Sequence, residues 1–156
     1  MLHIRLANES DLDTLVRLYS NLYNTLDGYG LPFSLDSDNI RDILAVMLKS
    51  KLCCIVVAQY EDTVCGFLSA GIVRMDRKLK FKGENVIGKI HDIYVDPEYR
   101  EKHTATQMLE KVEAWFRDNG VKIIESDILV DNNVSAAFFG KNGYKELARN
   151  VYKELE

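Results

Sequence analysis

Between Asp96 and Leu109 the chain reads DPEYREKHTATQML. Asp96-Pro97 closes a strand-like run, a short polar turn follows, and an apolar stripe with helical spacing starts at Ala105. A strand, a turn and a helix N-terminus in that order make an anion site. The N–H groups of the first helical turn have no intrahelical partner, and the helix dipole is positive there. Arg100 and Lys102 add charge suited to phosphate, and Thr104 and Thr106 can cap the helix or turn a hydroxyl toward a phosphate oxygen. The same residues also suit a merely solvated helix start, so their surroundings must decide. The turn contains no glycine, the residue that usually lets successive N–H groups crowd one anion.

The elements that would position this turn follow from periodicity. Leu2–Ala7 alternates as a first strand, and the cap residues of NESD lead into a helix whose apolar face is Leu12, Leu15, Val16, Tyr19, Leu22, Tyr23 and Leu26. DGYGLPFSLDSD ends it, and Ile40, Ile43, Leu44, Met47 and Leu48 mark a second helix. CCIVVAQY and TVCGFLSAGIV, separated by ED, read as an antiparallel hairpin. The basic stretch Arg74–Lys82 reads as a solvated hairpin tip before the strand VIGKIHDIYV. Beyond the opening turn, Ala105, Met108, Leu109, Val112, Trp115 and Phe116 form a helical stripe that stops at Asn119-Gly120. VKIIESDILV is a buried-type strand, NNVSAAFFGKNG a short helix, and YKELARNVYKEL a closing strand. The order β-α-α-β-β-β-α-β-α-β predicts a mixed α/β (α+β) fold, with a mostly antiparallel sheet flanked by helices and one domain over residues 1–156.

Bulk properties exclude several classes. The 156 residues are 47% hydrophobic and 28% charged, as in an ordinary globular domain. A net charge of −4 argues against a nucleic-acid partner. No apolar run approaches the ~20 residues that cross a bilayer, and MLHIRLANESD is no secretory leader, so a cytoplasmic protein without a membrane partner is expected. Cys53 and Cys54 are adjacent in an apolar run, which predicts buried thiols, as does Cys65's place in the next strand; no histidine lies at ligand spacing, so no metal is expected.

IHDIYVDPEYREKHTATQMLEKVEAWFRDNGV followed by IESDILVDNNVSAAFFGKNGYKE resembles the GNAT superfamily of N-acetyltransferases over roughly residues 86 to 146. The resemblance implies an acetyl-CoA-dependent enzyme, with the pyrophosphate on the turn Arg100–Thr106 (Arg100, Glu101, Lys102, His103, Thr104, Ala105, Thr106). It also implies that the pantetheine arm pairs like an extra strand with Ile93, Tyr94 and Val95. Against the family signature [QR]-x-x-G-x-[GA], Arg100 and Ala105 match, but His103 stands at the glycine.

Acetyl transfer to an amine needs a proton acceptor for the amine, stabilisation of the developing oxyanion, and a proton for the leaving thiolate. His91 stands where related enzymes often carry glutamate, beside the matching Asp92, and its ordinary pKa near ~6.5 suits a base. Strand alternation predicts His91, Ile93 and Val95 on one face, with Asp92 and Tyr94 on the other. The resemblance assigns the Ile93 N–H to the oxyanion. In the family's last helix a tyrosine serves as acid; here Phe139 takes that place, which leaves the role vacant. Asn132 is expected to hold the pantetheine arm or simply to cap its helix. Asp27, Tyr29 and Phe33, in an acidic and aromatic loop, are the expected contacts for a cationic amine acceptor, small molecule or protein. A homodimer is expected by analogy with relatives. The alternative is a catalytically degenerate acyl-CoA-binding module of the same fold. An unrelated nucleotide-binding domain is disfavoured, because neither a P-loop nor GxGxxG follows the first strand.

Overall fold

A computed structural model describes residues 1–75, 82–83 and 85–156. Most of the basic stretch expected as a hairpin tip, residues 76–81, therefore lies outside the described residues. The elements are β1 (Leu2–Leu6), α1 (Leu12–Asp27), α2 (Ser37–Lys49), β2 (Cys53–Tyr60), β3 (Thr63–Arg74), β4 (Val86–Val95), α3 (Thr104–Asp118), β5 (Ile124–Ser126) and α4 (Asn133–Lys141). The strands lie in the order β1-β2-β3-β4-β5. The first four are antiparallel, and β5 runs parallel to β4.

Local chemistry sets the helix starts. The Asn8 side chain accepts from the Ser10 N–H at 2.9 Å, and Asp11 accepts from the Asn8 N–H at 2.8 Å, a reciprocal cap ahead of α1. Buried Asp11 also accepts both arms of the Arg5 guanidinium, which pins the end of β1 to the helix and holds the carboxyl below its ordinary range. Asp36 caps α2 through the N–H groups of Asp38 and Asn39.

The sheet divides the core in two because alternate residues of each strand face opposite ways. Ile55, Val57, Phe67 and Tyr94 pack under α1 and α2 with Leu15, Leu18, Tyr19 and Leu44. Cys54, Val56, Ala58, Leu68, Ile90 and Val95 pack under α3 with Met108, Leu109, Val112 and Phe116, joined by Phe139 of α4. All three cysteines are free, and burial pushes the Cys54 thiol up to about 11.

Two expected elements differ. The strand read over Val121–Val130 shortens to three residues, because its ladder with β4 covers only Gly88, Lys89 and Ile90 before the strands part. The closing strand over Tyr144–Leu155 does not form: residues 144–156 join no ladder, and 145–156 are all exposed. Among the described residues no helix is long and apolar enough to cross a membrane.

Candidate active site

The parting of β4 from β5 creates the site. Ladder pairing stops at Ile90 opposite Ser126, while on the other edge β4 stays paired with β3 to Val95. The Asp96 N–H donates to Cys65 O on β3, so alternation turns Tyr94 and Asp92 to β3 as well and leaves the N–H groups of Ile93 and Val95 directed to the open edge. Just below the fork Lys89 Nζ lies 3.0 Å from Asp127, an ion pair across the two strands.

At the top of the cleft the turn before α3 exposes a run of N–H groups. Among the described residues no backbone acceptor serves the amides of Glu101 through Thr106; the first bond of α3 is Gln107 N–H to His103 O at 3.0 Å. The turn is wound by two left-handed residues, Glu101 at φ 62° and His103 at φ 57°. The glycine position of the signature is thus one that requires positive φ, and histidine is among the side chains that tolerate it best. Left-handed Glu101 carries no sequence signal and was not foreseen.

Side chains of the turn mostly brace it. Arg100 Nε donates to Val95 O at 2.8 Å, and the guanidinium lies over the Tyr94 ring. Lys102 Nζ sits 4.9 Å from the Tyr60 ring centre and 5.6 Å from that of Tyr99. Thr104 is buried, and its hydroxyl donates to Tyr99 O at 3.3 Å, so it is not turned outward as a phosphate ligand. Ala105 packs on the core.

The placement of His91 corrects the alternation argument. Register slips between Ser69, opposite Asp92, and Ala70, opposite Ile90, so His91 is the extra residue of a β-bulge. Its Nε2 lies 3.1 Å from where a Cβ on Gly71 would stand. Gly71 faces α1 and α2, since its neighbours Ala70 and Ile72 belong to the core under α3. His91 therefore shares a face with Asp92 and Tyr94, not with Ile93 and Val95, and its ring lies across β3, away from the open edge. Burial, then the nearby Lys89 charge, lowers its pKa below the ordinary histidine value.

Asp92 acquires the more perturbed setting. Burial pushes its carboxyl up to about 6, against a lowering by a hydrogen bond with Tyr19. The Tyr19 hydroxyl lies 2.6 Å from Ser69 Oγ, and burial followed by the Asp92 charge drives its own pKa well up. Tyr23, one turn along α1, is raised by burial and then by the same carboxylate. Tyr19 and Tyr23 looked like core residues of an apolar stripe; only folding brings them to Asp92. Tyr23 also lines a cleft of about 320 Å³ with Ser20, Asn24, Asp27, Phe33 and Ser34. Asp27 and Phe33 thus meet, whereas Tyr29 does not line this cleft.

On α4 the Asn132 side chain accepts from the Ser135 N–H at 3.1 Å and caps the helix. Phe139 is buried between Phe138 and Tyr144, with rings 5.2 and 5.1 Å away, and presents almost no surface to a ligand. The Tyr144 hydroxyl is buried without a hydrogen-bond partner among the described residues, and burial pushes it to about 12, far from a ready acid.

Residues 17–144 match the Acetyltransferase (GNAT) family. The chain belongs to that family. Its architecture superposes on an aminoglycoside N-acetyltransferase, AAC(6')-Iy, in complex with CoA, with a TM-score of 0.82 at 19% identity over 99% of this chain and 95% of that one. The aminoglycoside 6'-N-acetyltransferase AAC(6')-IG from Acinetobacter haemolyticus gives 0.79 at 21% identity, covering 99% and 98%. An aminoglycoside N(6')-acetyltransferase type 1 of Acinetobacter genomosp. 13 is 38% identical over 63 residues, which span 40% of this chain and 43% of the relative's length. An uncharacterized N-acetyltransferase of Methanocaldococcus jannaschii is 23% identical over 92% of this chain and 60% of its own. In this GNAT chain the unpaired amides and the open edge of β4 fit the diphosphate and amide arm of a coenzyme A ester.

Proposed function

We propose that this GNAT chain is an acetyl-CoA-dependent N-acetyltransferase that acetylates a primary amine of a cationic small molecule by direct attack in a ternary complex. The observation that carries the reading is the run of unpaired amides from Glu101 to Thr106, set above a β4 edge that has shed its neighbour. The amides of Glu101–Thr106 hold the diphosphate, and the edge groups of Ile93 and Val95 hold the amide arm. Asn132, whose side-chain N–H₂ is left by its cap bond, supports the same arm.

The acceptor enters from the cleft of Ser20, Tyr23, Asn24, Asp27 and Phe33, whose hydroxyls, amide and carboxylate suit a polar cation. Relatives named for aminoglycosides support a small polar amine of that kind. Asp92 takes the amine's proton as nitrogen attacks: its carboxyl titrates near 6, which leaves it a base at neutral pH yet a stronger one than an ordinary aspartate. The Ile93 N–H faces the charge that builds on the carbonyl oxygen. With Phe139 in the core, water protonates the departing thiolate. His91 stands beside Asp92 as the second candidate for the base, with its ring turned toward β3.

Calorimetry with coenzyme A and a thiol-release assay over polyamines, amino acids and aminoglycosides test this. Cofactor binding with amine-dependent thiol release is expected. Binding without turnover for any amine would favour the degenerate module, and no binding would reject both. Asp92→Asn is expected to lower turnover by about 10²–10⁴-fold and to remove the acid limb of the rate profile near pH 6, with cofactor affinity unchanged. If His91→Ala removes that limb instead, the proton goes to His91.

A further inference from the structure

Tyr19 lies in the apolar stripe of α1, where leucine would serve the core as well. It is 2% exposed, and its ring stacks on Phe67 with centroids 4.4 Å apart. A phenol buried this deeply must place its O–H on a partner. Ser69 Oγ lies 2.6 Å away, on a side chain with no exposed surface in the middle of β3. Two buried hydroxyls thus stand where two apolar side chains would carry no polar desolvation cost. Packing alone does not account for the pair.

The register of the sheet shows what they serve. Ser69 is paired with Asp92 across β3 and β4, and directly opposed residues of antiparallel strands share a face. Serine hydroxyl, phenol and carboxyl therefore converge. An ionised carboxylate can only accept hydrogen bonds, and a bond to it is stronger than one between neutral groups. The single Tyr19 proton accordingly goes to Asp92, and the Tyr19 oxygen accepts from the Ser69 O–H. Burial drives the Tyr19 pKa well up, so the phenol keeps that proton and acts as a donor throughout. Asp92 itself is half-buried, which leaves part of its surface open to an incoming amine. The other groups around it are placed differently. Tyr23 of α1 is raised by the Asp92 charge, His91 carries its ring over Gly71, Lys89 is paired with Asp127, and α2 brings apolar Leu44 to this half of the core. Burial, which raises the Asp92 pKa, and the Tyr19 bond, which lowers it, are the causes of its shift.

We propose that Tyr19 is a positioning residue of this site: its hydroxyl, oriented by Ser69 and anchored by Phe67, holds Asp92 in the ionised form that accepts the amine's proton. The role in catalysis rests on the reading of Asp92 as the base; the link between Tyr19 and Asp92 does not. Without the bond, burial acts on the carboxyl unopposed and its titration moves to higher pH. The acid limb of the rate profile then moves up with it, because a protonated Asp92 cannot accept.

Tyr19→Phe keeps the ring on Phe67 and removes the hydroxyl. Carbon-13 NMR of the aspartate carboxyls, with the Asp92 signal assigned by its absence in Asp92→Asn, needs no ligand. It is expected to give a midpoint at about 6 in the parent and about one pH unit higher in the variant, the effect of one hydrogen bond to a charged group. The thiol-release profile is expected to show the same displacement. The variant is then about fivefold slower than the parent at pH 6 and equal to it by pH 9, with the KM for the cofactor unchanged. Ser69→Ala is expected to displace the carboxyl titration the same way, by less. An unmoved Asp92 midpoint in Tyr19→Phe overturns the proposal, as does a rate lowered equally at every pH. A midpoint that falls in Ser69→Ala also overturns it, because Ser69 would then be taking the Tyr19 proton instead of turning it toward Asp92. A parent protein without amine-dependent thiol release rejects the acetyltransferase reading instead, and the carboxyl titration still decides the Tyr19 link.

Discussion

His103 and Asp92 show what single residues contribute. His103 is held in the left-handed region, where an L side chain costs about 1–2 kcal/mol. Glycine relieves that strain but gives back part of it in unfolded-chain entropy. His103→Gly is therefore expected to raise the urea unfolding free energy by about 1 kcal/mol, and His103→Val to lower it; a glycine variant no more stable than the parent would show that the turn is not strained here. Asp92 works in the opposite sense to most carboxylates. Its pKa rises from 3.8 to about 6 on folding, so the folded state holds the proton more tightly than the unfolded one. This group places no burden on the fold below pH 4. It becomes steadily more destabilising as pH rises through 6, to at most about 3 kcal/mol. Asp92→Asn is expected to stabilise the protein at pH 8 by up to that amount and to leave it unchanged at pH 4, in urea titrations at the two pH values. Equal effects at both would mean that the carboxylate is not buried as a charge. A stabilised but slowed variant is the expected signature of a residue kept for chemistry.

At the scale of elements, the fork between β4 and β5 depends on how closely α3 covers it. Gly88 stands opposite Ile124 in the last stretch where the two strands pair, and a Cβ there would meet three atoms of the Phe116 ring at 2.7–2.9 Å. Gly88→Ala is expected to cost about 1–3 kcal/mol through overpacking. Gly140, in α4 with nothing near its would-be Cβ, is the control: Gly140→Ala is expected to gain up to about 1 kcal/mol from helix propensity. Thermal unfolding of the two variants checks both signs. If Gly88→Ala were tolerated, the α3 contact would have to be looser than the ring geometry indicates. The bulge at His91 is the other decision made at this scale. One unpaired residue moves an imidazole from the α3 face to the α1 face, and period-two counting along VIGKIHDIYV has no means of detecting it.

For the whole molecule, the order of elements as far as α4, the two helical stripes over α1 and α3, the β2–β3 hairpin and the turn after Pro97 were all legible in the chain itself. Each is written by short-range rules: periodicity, caps and turn residues act within a few positions of one another. Family membership was legible for the same reason, since the resemblance is carried by local runs within roughly residues 86 to 146. What lay beyond reach was every feature that joins distant segments. Asp92 meets Tyr19 and Tyr23 across 73 and 69 positions of sequence, and only packing of α1 on the sheet raises its pKa. Asp27 and Phe33 line one cleft that Tyr29 does not line, because a loop's path and not its composition sets which side chains converge. The closing strand expected over Tyr144–Leu155 does not form, because a strand exists only where a neighbour accepts its hydrogen bonds. Composition determined which segments this chain can use as helix, strand and turn. Tertiary structure decided which groups share a site, because burial and proximity, the two causes of shifted chemistry, are properties of the folded chain alone.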